Sequence, residues 1–280
     1  MKIALLDSGI GLLPAAAALR ALRPDVDLVL SSDPDGMPWG PRTPEDIAEH
    51  ALACARAAAA YRPDALVVAC NTASVHALAT LRAELEPGLP VIGTVPAIKP
   101  AAAAGGPVAI WATPATTGSA YQRGLINDFA TGAEVTEVPC PGLADAVERA
   151  DDAAIDAAIR AAAALTPPGT AALVLGCTHY ELVADRIRAA VAPIPDPAAP
   201  LVFFGSADAV AAQALRRVAA VTRTGTGSLT VLSTGRPDIL PAAAGHYLQG
   251  RLLGTPAAER GVQAGEHGVQ VVPAAGGVHP

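Results

Sequence analysis

Two segments carry a thiol in the same local setting: ALVVACNTAS, with Cys70, and ALVLGCTHYE, with Cys177. Each is an apolar run that reads as a strand, ends on cysteine, and continues into residues able to cap a helix: Asn71 and Thr72 in the first, Thr178 in the second. Ligands of an open α/β sheet bind beyond the carboxyl ends of its strands, so both thiols fall at a functional edge. A helix N-terminus there offers unpaired N–H groups and partial positive charge, which is expected to pull a thiol below its ordinary pKa of about 8.5. Two thiols prepared to ionise form a pair of acid/base groups. Cysteine is also among the most buried residue types, and for Cys54, inside the alanine-rich stretch ALACARAAAA, packing is the expected role. Cys140, just before Pro141, has no activating neighbour in sequence.

Other residues have the types that such chemistry uses. His179 follows Cys177 by two residues and is suited to serve as a base, an orienting donor or a plain helix-start residue. In LLDSGIGLLP a strand ends on Asp7, and Ser8, Gly9 and Gly11 form a turn whose N–H groups are expected to face an anionic ligand. The turn departs from G-x-G-x-x-G, which argues against a dinucleotide. MPWGPRTPEDI is a Pro/Gly loop followed by Thr43-x-x-Asp46, a helix-start pattern, and loops of this sort often cover a ligand. His50 and His76 read as helix-surface residues, and Glu148, in LADAVERADD, as an ordinary solvated carboxylate.

The elements that must position these groups alternate short β-branched or Leu-rich runs with Ala/Leu/Arg segments of helical length, the pattern of parallel strands joined by crossover helices. The expected strands are 2–7, 26–30, 64–70, 91–94, 108–112, 134–139, 171–177, 201–204 and 229–234. Nine strands suggest two small sheets in an α/β chain. The Pro- and Gly-rich stretches 96–107 and 193–200 are expected to cross between domains. That gives a discontinuous first domain, 1–95 with 204–254, an inserted second domain, 96–203, and a loose tail over 255–280.

The 280 residues are 51% hydrophobic and 16% charged, ample for a large core or two smaller ones. A net charge of -7 without a basic stripe argues against nucleic acid as partner. No uninterrupted apolar run is long enough for a membrane span, and Asp7 breaks the N-terminal run too early for a signal peptide. The four cysteines lack the C-x-x-C spacings of zinc or redox sites, so a reducing cytoplasm is the expected location.

The chain resembles the glutamate racemases of the aspartate/glutamate racemase superfamily. The resemblance lies in DSGIG (7–11), PWGPRTPEDI (38–47), ACNTAS (69–74), VPAIKPA (95–101) and LGCTHY (175–180), in the family's order, and continues more weakly through 229–248. It departs at Leu12, where a second glycine is usual, at Trp39, where the family has Tyr, and at Phe204-Gly205-Ser206, where members often carry Asp-Ser-Gly.

The resemblance implies two similar small domains, each a mainly parallel sheet flanked by helices, with the active site in the cleft between them. It also implies cofactor-independent interconversion of L- and D-glutamate, with no metal and no pyridoxal phosphate, in a homodimer that supplies D-glutamate for peptidoglycan. Cys70 would deprotonate the D-enantiomer and Cys177 the L-enantiomer. Asp7 and His179 match residues that assist the cysteines, and Glu148 a carboxylate near the histidine. Ser8, Trp39, Gly40, Asn71, Thr72 and Thr178 match substrate contacts, and Thr113 and Thr116 are expected to line the pocket. Alternatives are a racemase of aspartate, a hydantoin or another small acid, a thiol hydrolase or redox protein using one cysteine with His179, and a noncatalytic two-domain binding protein.

Overall fold

A computed structural model describes residues 1–192 and 200–255. All but the first residue of the loose tail expected over 255–280, and nearly all of the second Pro-rich stretch, lie outside the described residues. Two sheets organise the chain. The larger contains β1 (Lys2–Asp7), β2 (Asp27–Ser32), β3 (Ala65–Val68), β4 (Val91–Gly93), β9 (Leu229–Ser233) and β10 (Arg236–Asp238), in the order β10-β9-β2-β1-β3-β4. The smaller contains β5 (Val108–Ala112), β6 (Val135–Pro139), β7 (Ala172–Leu175) and β8 (Val202–Phe204), in the order β6-β5-β7-β8. Every pairing is parallel except that of β10 with β9. Parallel strands are covered on both faces, which is why β1, β3, β5 and β7 read as continuous apolar runs and are buried almost throughout.

The two sheets repeat one arrangement. In each, the first strand pairs with the second on one side and the third on the other, and the fourth pairs with the third. The chain therefore reverses its winding between β1 and β3 and again between β5 and β7. These are the switch points where the connecting helices diverge and leave a crevice at the carboxyl ends of the strands.

The helices are α1 (Leu13–Leu22), α2 (Pro44–Ala59), α3 (Asn71–His76), α4 (Leu78–Leu85), α5 (Ile98–Ala103), α6 (Ala120–Phe129), α7 (Leu143–Glu148), α8 (Asp152–Leu165), α9 (Ala184–Val191), α10 (Ala207–Arg217) and α11 (Leu248–Gly254). The starts follow sequence signals: Thr43 accepts from the Asp46 N–H ahead of α2, Ser119 from Gln122 ahead of α6, and Asp151 from Ala154 ahead of α8. One apolar core, with Leu5, Trp111, Leu143, Tyr180 and Tyr247, is shared by the facing sides of the two sheets. Separate cores lie under α2 to α4 and under α5 with α6.

All nine expected strands are present. β10 was not expected, since Arg236, Pro237 and Asp238 are exposed and polar or ring-constrained; Pro is tolerated on such an edge. The first Pro/Gly stretch is not a bare crossing either. It holds α5, whose Ile98 and Ala101 are buried, with its glycines at the end of the helix.

Candidate active site

Both cysteines stand directly beyond the strands at the switch points. β3 leads to Cys70 and then α3; β7 leads to Gly176, Cys177 and a 3-10 turn, Thr178–Val183. Both residues keep extended backbone at the N-terminal boundary of the helical segment that follows. Asp7 ends β1, beside β3, and Thr113 follows β5, beside β7. The two sheet edges thus face one cavity of about 550 Å³.

Its lining contains every residue that the sequence assigns to catalysis or substrate binding: Asp7, Ser8, Trp39, Gly40, Cys70, Asn71, Thr72, Thr113, Thr116, Glu148, Cys177, Thr178 and His179. Cys54 is absent from it and is buried under α2. Cys140, Asp145 and Met37 also line the cavity and were missed. Cys140 had a signal: like the other two it follows a strand, β6. Asp145 lies one helical turn before Glu148 on α7, the i, i+3 spacing that puts two side chains on one face.

On the Cys177 side a chain of contacts runs through His179. Its Nδ1 lies 3.9 Å from the Cys177 Sγ, and its Nε2 lies 2.8 Å from Glu148 Oε2. The same Glu148 oxygen accepts the Ile10 N–H at 2.8 Å. Burial acts to lower the His179 pKa, but its hydrogen bonds to Cys177 and Glu148 outweigh that and hold it well above the ordinary imidazole value. For Glu148, burial pushes upward, yet the bond and charge of His179 leave it below the usual carboxylate value. Glu148 is therefore not the solvated carboxylate its sequence context suggests. α7 turns it inward, and the histidine is its partner.

On the other side, Asp7 is fully buried against the Cys70 thiol. One carboxylate oxygen accepts the Ser8 N–H at 2.7 Å, while Oδ2 lacks a conventional hydrogen-bond partner. Burial raises its pKa to about 6, against the opposing effect of His179. The expected lowering of the Cys70 pKa is not found. Burial first, and then the Asp7 charge, push this thiol well above its ordinary value. α3 has only six residues, and its field does not offset those two effects.

One further expectation is corrected. Asn71, Thr72 and Thr178 do not cap the segments after the cysteines: neither start has a side-chain cap hydrogen bond, and the Asn71 amide instead donates to the Gly176 carbonyl at 2.7 Å. In the turn after Asp7 the Ile10 N–H donates to the chain's own Glu148, while Ser8 lines the cavity. A Cβ on Gly9 would collide with the Glu148 carboxylate, and one on Gly11 with Asp7, Thr178 and His179. These glycines let the groups of the second sheet approach the first.

Among the described residues, no cluster of three His, Cys, Asp or Glu side chains is arranged to hold a metal ion. No helix among them is long and apolar enough to cross a membrane.

A sequence profile described as Asp/Glu/Hydantoin racemase matches residues 13–214. The chain belongs to this racemase family. Among relatives in the family, the glutamate racemase of Roseiflexus sp. (strain RS-1) is 37% identical over 247 residues, 84% of this chain and 88% of that one. That of Pseudomonas putida (strain W619) is 37% identical over 70% of this chain and 77% of its own length. Among solved structures, the Escherichia coli glutamate racemase in complex with L-glutamate and the activator UDP-MurNAc-ala superposes with a TM-score of 0.73, at 26% identity, over 88% of this chain and 91% of that chain. The Thermus thermophilus glutamate racemase in complex with beta-chloro-D-alanine gives 0.67, at 30% identity, over 88% and 92%.

Proposed function

We propose that this member of the racemase family is a glutamate racemase working by two bases without a cofactor. The observation that carries the mechanism is the repeated strand–cysteine edge, which puts Cys70 and Cys177 on one cavity from two different sheets. Inverting an α-carbon requires removing its proton on one face and delivering another to the opposite face. The Cys177 thiolate takes the α-proton of L-glutamate, and the Cys70 thiol gives its proton to the other face of the planar carbanion, yielding D-glutamate. The reverse reaction begins with the Cys70 thiolate.

Asp7 and His179 serve the thiols as local proton acceptor and donor. Asp7, held near pKa 6 mainly by burial, is ionised at neutral pH and able to accept a hydrogen from Cys70. A protonated His179, held by Glu148, directs a hydrogen from Nδ1 toward the Cys177 sulfur. Ser8, Asn71, Thr72, Thr113, Thr116 and Thr178 supply donors and acceptors for the substrate carboxylates and ammonium, with Trp39 and Gly40 closing one wall. Donors fixed in a water-poor cleft stabilise charge developing on the carboxylate without reorganising.

Residues 1–95 with 204–254 form one unit of this reading and 96–203 the other. The enzyme works in the cytoplasm as a homodimer and supplies D-glutamate for peptidoglycan. The test is proton NMR of the purified protein with L-glutamate, and separately D-glutamate, in deuterium oxide without added cofactor. Loss of the α-proton signal with appearance of the opposite enantiomer is expected; unchanged glutamate from both sides would overturn the reading.

A further inference from the structure

Trp39, the ring that stands where the family resemblance has a tyrosine, is almost wholly buried and forms part of the cavity wall. Its orientation is set from behind. The indole Nε1–H donates to Asp33 Oδ2 at 3.0 Å, and His50 Nδ1 meets that same oxygen at 2.7 Å. An indole nitrogen can only donate, and two groups on one carboxylate oxygen must both donate, so His50 carries its hydrogen on Nδ1. His50 Nε2 faces Asp46 Oδ1 at 3.4 Å, and Arg42 ties Asp46 Oδ2, at 2.6 Å, to the Gly36 carbonyl, at 2.7 Å. The Asp33 N–H donates to the Ser8 carbonyl at 3.1 Å, linking this assembly to the turn after Asp7. A Cβ on Gly36 would collide with Asp33 and His50, so the loop is packed down on the pair.

Neither Asp33 nor His50 lines the cavity. Asp33 is buried, with 3% exposure, while His50 is half-buried on α2, where the sequence reads as helix surface. A buried carboxylate on a single indole N–H would be poorly satisfied; the imidazole supplies a second donor and fixes the position of the shared oxygen. We propose that Asp33 and His50 are positioning residues that lock the Trp39 indole as a cavity wall and thereby set how tightly the site holds its small dicarboxylic substrate. Trp39 is the only member of the three that contacts the cavity, so the pair acts through it. The proposal rests on the racemase reading above for its kinetic readout.

The test uses His50→Ala, His50→Asn and Trp39→Phe in the full chain, singly and combined, with steady-state kinetics on glutamate and the indole N–H NMR signals of the protein. The Trp39 signal is assigned by its loss in Trp39→Phe. In His50→Ala, KM is expected to rise by about fivefold, as for loss of one supporting hydrogen bond, with kcat within about twofold. The Trp39 N–H signal should move and exchange faster with solvent. His50→Asn, whose amide can donate from the Nδ1 position, should restore both. In the Trp39→Phe background His50→Ala should have no further effect on KM, because the acceptor of its influence is gone. An unmoved Trp39 signal in His50→Ala, an unchanged KM, or an equal KM effect with and without Trp39 would overturn the proposal. If the wild-type chain does not racemise glutamate, the racemase reading fails, and the NMR signal alone still decides whether His50 positions the indole.

Discussion

The side-chain amide of Asn71 donates to the backbone carbonyl of Gly176 at 2.7 Å. Asn71 follows one cavity cysteine and Gly176 precedes the other, so a single buried hydrogen bond joins the two strand ends that carry the thiols. The amide oxygen of Asn71 accepts no hydrogen bond within the protein. The residue therefore ties the two edges together with one end and presents an unmet acceptor with the other.

Asp7 couples stability to activity. Its folded-state pKa of about 6, raised chiefly by burial, exceeds its ordinary value of 3.8, so the folded chain holds this proton more tightly than the unfolded chain. The contribution of the neutral carboxyl is complete below about pH 4 and is lost as pH rises to about 6; by pH 7 ionisation has cost about 3 kcal/mol. Asp7→Asn should therefore melt higher than wild type at pH 7.5, with the gap closing toward pH 4. The same variant should lose about 100-fold in racemisation of D-glutamate, the direction that begins at Cys70. Melting curves at two pH values and initial rates from each enantiomer check both halves.

Glu148→Gln should shift the His179 ionisation to lower pH, because the hydrogen bond and charge of Glu148 both act to raise it. A raised histidine pKa contributes stability that is full below the unfolded value and lost as pH climbs through the folded one; removing Glu148 narrows that window from the alkaline side. Direct titration of the His179 ring by NMR should show the fall, and the alkaline limb of kcat/KM for L-glutamate should move down with it.

Gly11→Ala should disable the site without replacing any functional side chain. The added methyl meets Asp7, Thr178 and His179 at once, so all three must shift from the positions they hold around the cavity. A loss of about 100-fold in kcat/KM is expected. Gly132→Ala is not a matching control, since that glycine has a positive φ; Gly124→Ala, on α6 with open space around its Cβ, is.

Cys54→Ala should retain activity within about twofold and cost about 1 kcal/mol of stability, the size of a small buried truncation. Activity assays with chemical denaturation separate the two effects.

The strand framework was legible because parallel strands buried on both faces leave continuous apolar runs; β1 and β5 begin and end where the sequence reading puts them. The site lining was legible through the matched strand–cysteine segments and the family resemblance together. What escaped depends on distance across the chain. The inward turn of Glu148 is fixed by His179, 31 residues away, and by the Ile10 N–H, 138 away. His50 reads as surface because its helix is amphipathic there, yet Asp33, from the loop after β2, folds back beneath it. The direction of the Cys70 shift is not legible in sequence, because a local pattern shows the helix start but not the burial or the neighbouring Asp7.

The central claim is that two thiols work on opposite faces of one α-carbon, and single-cysteine variants in deuterium oxide test it most directly. Cys70→Ser and Cys177→Ser should each lose at least about 1000-fold in racemisation. Cys70→Ser should still exchange the α-proton of L-glutamate, through Cys177, and Cys177→Ser that of D-glutamate, through Cys70. Equal exchange of both enantiomers by either variant, or full racemisation without one of the cysteines, would contradict the two-base account.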